Sequence, residues 1–248
     1  MKFATLVLIF ITSSLAPAAV APYVPGLENV EQREYDFAAG EKVIVENPSG
    51  AIQISVNERP RVTVQVTKNA KQFSERCQLN IEKSEFSEVI VQVIAPLGET
   101  CAADVTLIVP ADVALRLIAG TGSINTSGTK GPLFFQLGTG SITASGVFTR
   151  VEGQSGTGKV EINGVTGGGS INAGNGPVDL KFLSYPKGDL ALKTGSGDAT
   201  LVFPKGTKIN ASLTSGTGQV TNEIEQHSSA DFGLNAMSGT GNVKVQAY

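Results

Sequence analysis

From Leu115 to the C-terminus one short pattern of apolar and polar positions recurs, each copy marked by a G-x-G triplet. Four residues after the first glycine of each triplet stand Ile124, Ile142, Val160, Val178, Ala199, Val220 and Val243, all apolar. The next position holds Asn125, Thr143, Glu161, Asp179, Thr200, Thr221 and Lys244, all polar. Upstream, Leu117, Phe135, Gly153, Ile171, Leu192, Leu213 and Ala236 occupy minus three, and Leu115, Leu133, Val151, Gly169, Leu190, Ala211 and Leu234 occupy minus five. A period of two is the signature of strands with one face in a core, so the apolar sets face inward and the polar set outward. A slip of one residue would bury the polar set, which pins the register.

The triplets are Gly120-Thr121-Gly122, Gly138-Thr139-Gly140, Gly156-Thr157-Gly158, Gly174-Asn175-Gly176, Gly195-Ser196-Gly197, Gly216-Thr217-Gly218 and Gly239-Thr240-Gly241, with first glycines 18, 18, 18, 21, 21 and 23 residues apart. One such unit of two short strands cannot bury its apolar face alone, whereas units stacked at about 4.8 Å make a continuous core. The pattern therefore predicts an all-β, single-domain β-solenoid or β-helix of stacked two-strand rungs. The glycines are its structural corners, because the residue lacking a side chain tolerates positive φ and lets successive corners approach. Earlier, Val43 and Val45 precede a corner at Pro48 to Gly50, and Ile52 and Ile54 follow it at the same offsets. Longer N-terminal strands, RVTVQVTK, QLNIEK, EVIVQVIAP and ADVTLIVPADVALRL, read as hairpin-like extensions of these early rungs. No boundary interrupts residues 34 to 248.

The first residues change the picture of where the protein works. MKFATLVLIFITSSLAPAAVA joins one lysine, a short apolar run and Ala16-Pro17-Ala18, which predicts a cleavable signal peptide over residues 1–18. A linker over 19–33 follows, then the solenoid over 34–248. The expected location is exported: periplasm, cell surface or extracellular medium. Cys77 and Cys101 are the only cysteines. In an oxidising compartment they predict one disulfide, worth about 3 kcal/mol in the chain-entropy model, with two buried free thiols as the alternative.

The run from Val43 to Ile54 (V-x-V-x-N-x-x-G-x-I-x-I), the strand ending in Val109-Pro110 and the repeated G-[ST]-G-x-[IV] resemble the DUF4097 family of adhesin-like proteins, related to auto-transporter adhesin head domains. The resemblance spans nearly the whole mature chain. It implies a β-solenoid exported to the envelope or surface, associated in some relatives with envelope stress, and it carries over no catalytic residues. The family pattern does not require the Cys77/Cys101 pair, and GVTGGGSIN near Gly164 departs from the regular repeat.

Candidate chemistry is sparse. Gly153, Gly158 and Lys159 fit a phosphate-binding loop, G-x-x-x-x-G-K, but Val160 stands where a hydroxyl is needed and the next residues alternate as a strand where a helix should start. Glu161 and Asp179 share one outward position 18 residues apart, a spacing that suits a retaining glycosidase or half a calcium site. No basic partner is evident beside them. The calcium-binding nonapeptide roll needs an aspartate at every turn, where this chain has Ile, Val or Ala. His227, with Ser228, Ser229 and Asp231, lies in one loop, too local for a Ser/His/Asp triad. Phe134, Phe182 and Tyr185 are the aromatics that could stack on sugar rings. With 17% charged residues and net charge −3, the chain makes no electrostatic case for nucleic acid.

The expectation is thus a non-catalytic, adhesin-like binding or structural module of the cell envelope, with no cofactor, no metal site and no transmembrane segment in the mature chain. Its expected partner is an envelope protein or glycan. The alternative is a carbohydrate-active enzyme, hydrolase or lyase, using Glu161 and Asp179. A homo-oligomer could form through the terminal rung GNVKVQAY, whose edge only Lys244 guards.

Overall fold

The computed structural model describes residues 29–38 and 41–248. The expected signal peptide and most of the expected linker lie outside the described residues. Among those described there is no helix, and fifteen strands join into one sheet. In chain order they are β1 (Val30–Asp36), β2 (Lys42–Ser49), β3 (Ile52–Asn57), β4 (Arg61–Lys68), β5 (Gln78–Lys83), β6 (Glu88–Ile94), β7 (Ala103–Pro110), β8 (Ala114–Thr157), β9 (Val160–Asn175), β10 (Val178–Ser196), β11 (Ala199–Phe203), β12 (Asn210–Thr217), β13 (Val220–Asn222), β14 (Phe232–Thr240) and β15 (Val243–Ala247). The first strand starts at Val30, within the segment read as linker.

The repeat stacks in parallel register. Val160 pairs with Ile142 on one side and Val178 on the other, and Val178 pairs with Ala199. These four side chains, with Ile124, are fully buried, as are Leu117, Phe135 and Val151 from the strands before the triplets. Complete burial of one Val, Ile or Leu contributes about 1.5–3 kcal/mol, so each rung adds to a continuous apolar column. Gly153 occupies an inward position because the Phe135 ring of the neighbouring rung fills its place: a Cβ there would collide with the ring.

The triplets form two glycine columns. In the first, the space that a Cβ would need is taken by the carbonyl of the preceding rung, Gly120 against Pro48, Gly138 against Gly120, Gly156 against Gly138 and Gly174 against Gly156. In the second, Gly122 lies on Gly50 and Gly140 on Gly122, with φ near +140°. Side chains are thus excluded twice, by backbone conformation and by closeness.

At the C-terminal end the spatial order departs from the chain order. A Cβ at Gly239 would meet the Gly195 carbonyl at 2.6 Å, and one at Gly216 would meet the Gly239 carbonyl at 2.6 Å. The rung made last, β14 and β15, is therefore inserted between the β10–β11 rung and the β12–β13 rung. Leu234 pairs with Leu190 on one side and Ala211 on the other, and Val243 pairs with Ala199 and Val220. This corrects the expectation that GNVKVQAY is the edge: β15 lies inside the sheet, and β12 with β13 forms the end. It also explains Val220, expected inward yet 46% exposed, since no rung covers it. The spacings of 21 and 23 residues supply the extra chain that jumps one position outward and returns. The earlier spacing of 21 has another cause. Phe182 pairs with Val165 and Lys187 with Gly167, so three extra residues bulge out of β10 around Leu183 and Tyr185.

The N-terminal end is closed by the extensions. On one side β6 pairs in parallel with β2, and β5 folds back antiparallel on β6. On the other, β7 pairs in parallel with β3, followed antiparallel by β4 and then β1. The Tyr35 hydroxyl of β1 donates to the Ile81 carbonyl of β5 at 2.8 Å, tying the two outermost strands across the core. Cys77 and Cys101 form a disulfide that staples the ends of the β5–β6 hairpin, so both thiols are accounted for.

Candidate functional site

The outward positions of the strands after the triplets line up as a row. Gln65 pairs with Thr106, Thr106 with Gln53 and Gln53 with Asn125; farther on, Thr143 pairs with Glu161, Glu161 with Asp179, Asp179 with Thr200 and Thr200 with Lys244. At the inter-strand spacing these residues extend for about 40 Å. The row exists because strand side chains alternate and the glycine corners hold every rung in the same phase. It presents hydroxyls and amides at a fixed repeat.

Glu161 and Asp179 are brought together there, with a third group that the sequence did not suggest. Lys159, just after the third triplet, places Nζ 2.8 Å from a Glu161 oxygen and 3.1 Å from an Asp179 oxygen. Asn163 adds a hydrogen bond to Glu161 at 3.2 Å. The hydrogen bond from Lys159, followed by that from Asn163, holds the Glu161 carboxyl below the usual carboxylate range. The same pair of acids, Glu161 first, raises the Lys159 ammonium above its ordinary value. A general acid at neutral pH needs its pKa raised, the reverse of what this pair does to Glu161. The cluster is an ion-paired knot in the row, with its cation supplied by the chain.

On the strands before the triplets, Arg116 lies over the Phe134 ring at 4.3 Å, so a guanidinium already occupies the face expected to receive a sugar. Phe182 is buried, stacked on Phe203 at 4.2 Å with Phe232 edge-on at 5.6 Å. It belongs to the core, and its expected outward role is withdrawn. Tyr185, on the β10 bulge, is exposed, and its hydroxyl donates to the Lys205 carbonyl at 3.3 Å. It borders a cleft of about 320 Å³ that also includes His227, Ser229 and Asp231. There the Ser229 hydroxyl is 2.9 Å from Nδ1 of His227, a contact between exposed neighbours two residues apart. A second depression, of about 400 Å³, runs beside the amides of Gln136, Gln154 and Asn172 on successive rungs. No group of three or more His, Cys, Asp or Glu side chains is placed to hold a metal among the described residues. Nor is any helix among them long and apolar enough to cross a membrane.

A family model described as Toastrack DUF4097 matches residues 41–248. Similar solved structures include a "putative adhesin" of Bacteroides fragilis, 11% identical over 89% of this chain and 98% of that one, with a TM-score of 0.46. Others are a "putative lipid binding protein" of Parabacteroides distasonis (13% identical, 88% and 97% covered, TM-score 0.43) and a "putative cell adhesion protein" of Clostridium sporogenes (14%, 88% and 99%, 0.37). No curated protein matches the chain.

Proposed function

The chain belongs to the Toastrack DUF4097 family, and from that membership and its outward ladders we propose that it acts as an exported, non-catalytic binding or structural module of the cell envelope, adhesin-like in its action. The observation that carries this reading is the row from Gln65 to Lys244, polar throughout and held in phase by the stacked rungs beneath it. Such a surface offers many weak hydrogen bonds at a fixed spacing, which suits a repetitive partner such as a glycan. Preorganisation by the glycine columns spares the ordering entropy that a flexible ladder would lose on binding.

The signal-peptide pattern of residues 1–18 and the disulfide both agree with export. The test combines fractionation of cells, with and without outer-membrane disruption, and pull-down from envelope extracts followed by glycan-array and lipid-overlay binding. Retention in the cytoplasm would defeat the envelope assignment. Turnover in a reducing-sugar assay that is abolished by Glu161→Gln or Asp179→Asn would defeat the non-catalytic one.

A further inference from the structure

We propose that the cleft beside Tyr185 binds one neutral sugar residue, at a site separate from the polar row; the assignment rests on the reading of the chain as a non-catalytic binding module. The first glycines of the triplets keep a spacing of 18 residues as far as Gly174, after which the spacings grow to 21, 21 and 23. The added residues emerge in three places: the β10 bulge, the link 204–209 between β11 and β12, and the link 223–231 between β13 and β14. All three contribute to the walls of one cleft of about 320 Å³, which Tyr185, Lys208, His227, Ser229 and Asp231 help to line. The two links are needed to carry the chain out one rung and back. β10 makes no such jump, yet its bulge opens onto the same links. Loops set on a rigid scaffold are where binding groups concentrate.

The walls are fastened to one another. The His227 amide donates to the Ile209 carbonyl at 2.9 Å and the Ile209 amide to the Glu225 carbonyl at 3.3 Å, while the Gln226 side chain bonds the Ala211 carbonyl at 3.2 Å and its amide at 3.4 Å. Lys208 pairs with Glu225 at 3.4 Å, and Ile209 and Ile224 are buried beneath. The Tyr185 hydroxyl ties the bulge to the Lys205 carbonyl. Little ordering is therefore left for a ligand to impose. The volume lies at the lower end of small-molecule sites, about 300–1,000 Å³, which suits a single ring. Tyr185 is 62% exposed with its hydroxyl held, so its ring is a fixed apolar plate. Asp231 is exposed and has no hydrogen bond or ion pair among the described residues, and His227 spends Nδ1 on Ser229, which leaves Nε2 without a partner there. A pyranose answers each of these groups: its C–H face packs on the phenol ring, and its hydroxyls donate to the Asp231 carboxylate and meet the imidazole nitrogen. An anion would face Asp231 with the lining cation Lys208 already paired, and a wholly apolar ligand would strip water from that carboxylate with nothing in return.

Amide NMR spectra of the purified chain, titrated with the methyl glycosides of glucose, galactose, mannose and N-acetylglucosamine, test this. At least one glycoside should move the signals of Tyr185, Lys208, His227 and Asp231 and leave those of Gln53, Thr106 and Asn125 on the row in place. Tyr185→Ala should weaken that glycoside about tenfold, whereas Tyr185→Phe, which keeps the ring, should stay within about threefold. Asp231→Asn, at an exposed position where the fold has little to lose, should also weaken it about tenfold, with circular dichroism and cooperative melting unchanged. A glycoside that moves only the row, or binding indifferent to both Tyr185→Ala and Asp231→Asn, would overturn the cleft assignment and leave the binding-module reading standing. A preference for methyl glucuronide over methyl glucoside would overturn the neutral class. Silence from every glycoside would overturn the site itself, and the glycan array and envelope pull-down then decide the broader reading separately.

Discussion

The backbone amide of Gln219 donates to Oδ1 of Asn242 at 2.9 Å, although Asn242 comes 23 residues later and sits one rung nearer the N-terminal end. Asn242 in turn gives its own amide and Nδ2 to Oδ1 of Asp198, at 2.7 and 3.2 Å. Three residues at one repeat position thus record the order of the last rungs. Ser238 and Ser215 repeat the record, their hydroxyls donating to the Gly197 and Gly241 carbonyls. Replacing Asn242 by Ala should cost about 1–2 kcal/mol, the usual worth of such bonds, seen as a lower urea midpoint with an unchanged slope. Asn242→Asp should cost more at neutral pH, because the new carboxylate faces Asp198 where an amide donated, and acid should relieve the difference.

Glycines at different places should respond differently to alanine. Gly140 has φ of +137° and the Gly122 carbonyl where a Cβ would go, whereas Gly188 has φ of +83° and open space. Gly140→Ala should destabilise by more than the ~1 kcal/mol of conformational strain alone, and Gly188→Ala by about that amount. Equal denaturation midpoints for the two variants would contradict the close stacking of corners.

The Lys159 knot has an electrostatic signature. Since the Glu161 pKa is depressed in the folded chain, its contribution to stability is present above the unfolded carboxylate pKa and lost as pH falls through the folded value. The Glu161 side chain keeps 34% of its surface in water, so solvent screening should hold the effect on stability under about 1 kcal/mol. Carbon-detected NMR titration should show the Glu161 carboxyl titrating below a free glutamate, and Lys159→Met should move it upward. No movement would remove the pairing.

The disulfide should act regionally. Cys77→Ser with Cys101→Ser should cost about 3 kcal/mol by the loop-entropy estimate, and limited proteolysis should then cut between β4 and β7 before it cuts the glycine-cornered rungs. Loss of protection throughout the chain at once would show that the extension is needed by the whole coil.

Truncation after Asp231 separates the inserted order from a sequential one. Removing β14 and β15 should leave β12 and β13 without a partner strand, so residues 210–222 should become protease-sensitive along with the deleted ones. In a sequentially stacked coil the same cut would shorten the stack by one rung and leave Leu213 protected.

The regular part of the fold was legible because one geometric demand, a side chain too many at the corner, repeats at every rung and leaves glycine as its only answer. The alternation around Ile142, Val160 and Val178 carried the register in the same way. The inserted order was not legible from hydrophobicity, since Val220 and Val243 are equally apolar and either could have been last. Its traces lay in the spacings of 21 and 23 and in the polar residues Asp198, Asn242 and Gln219. For the acid pair, sequence placed Glu161 beside Asp179 through the strand register. It did not reveal Lys159, whose Nζ reaches both acids from a corner position by a side-chain path that no repeat pattern encodes. Phe182 was misplaced although it follows Val178 and Leu180 in the same buried phase of β10, where alternation alone points it inward.

Tyr248 donates its amide to the Phe203 carbonyl at 3.0 Å and its phenol to the Phe182 carbonyl at 3.1 Å. Tyr248 is thereby lodged against strands made dozens of residues earlier. The position beside β11 is taken by β15 and by no strand nearer in sequence. The slot therefore stays open until β15 arrives, and the coil closes from within rather than at its edge.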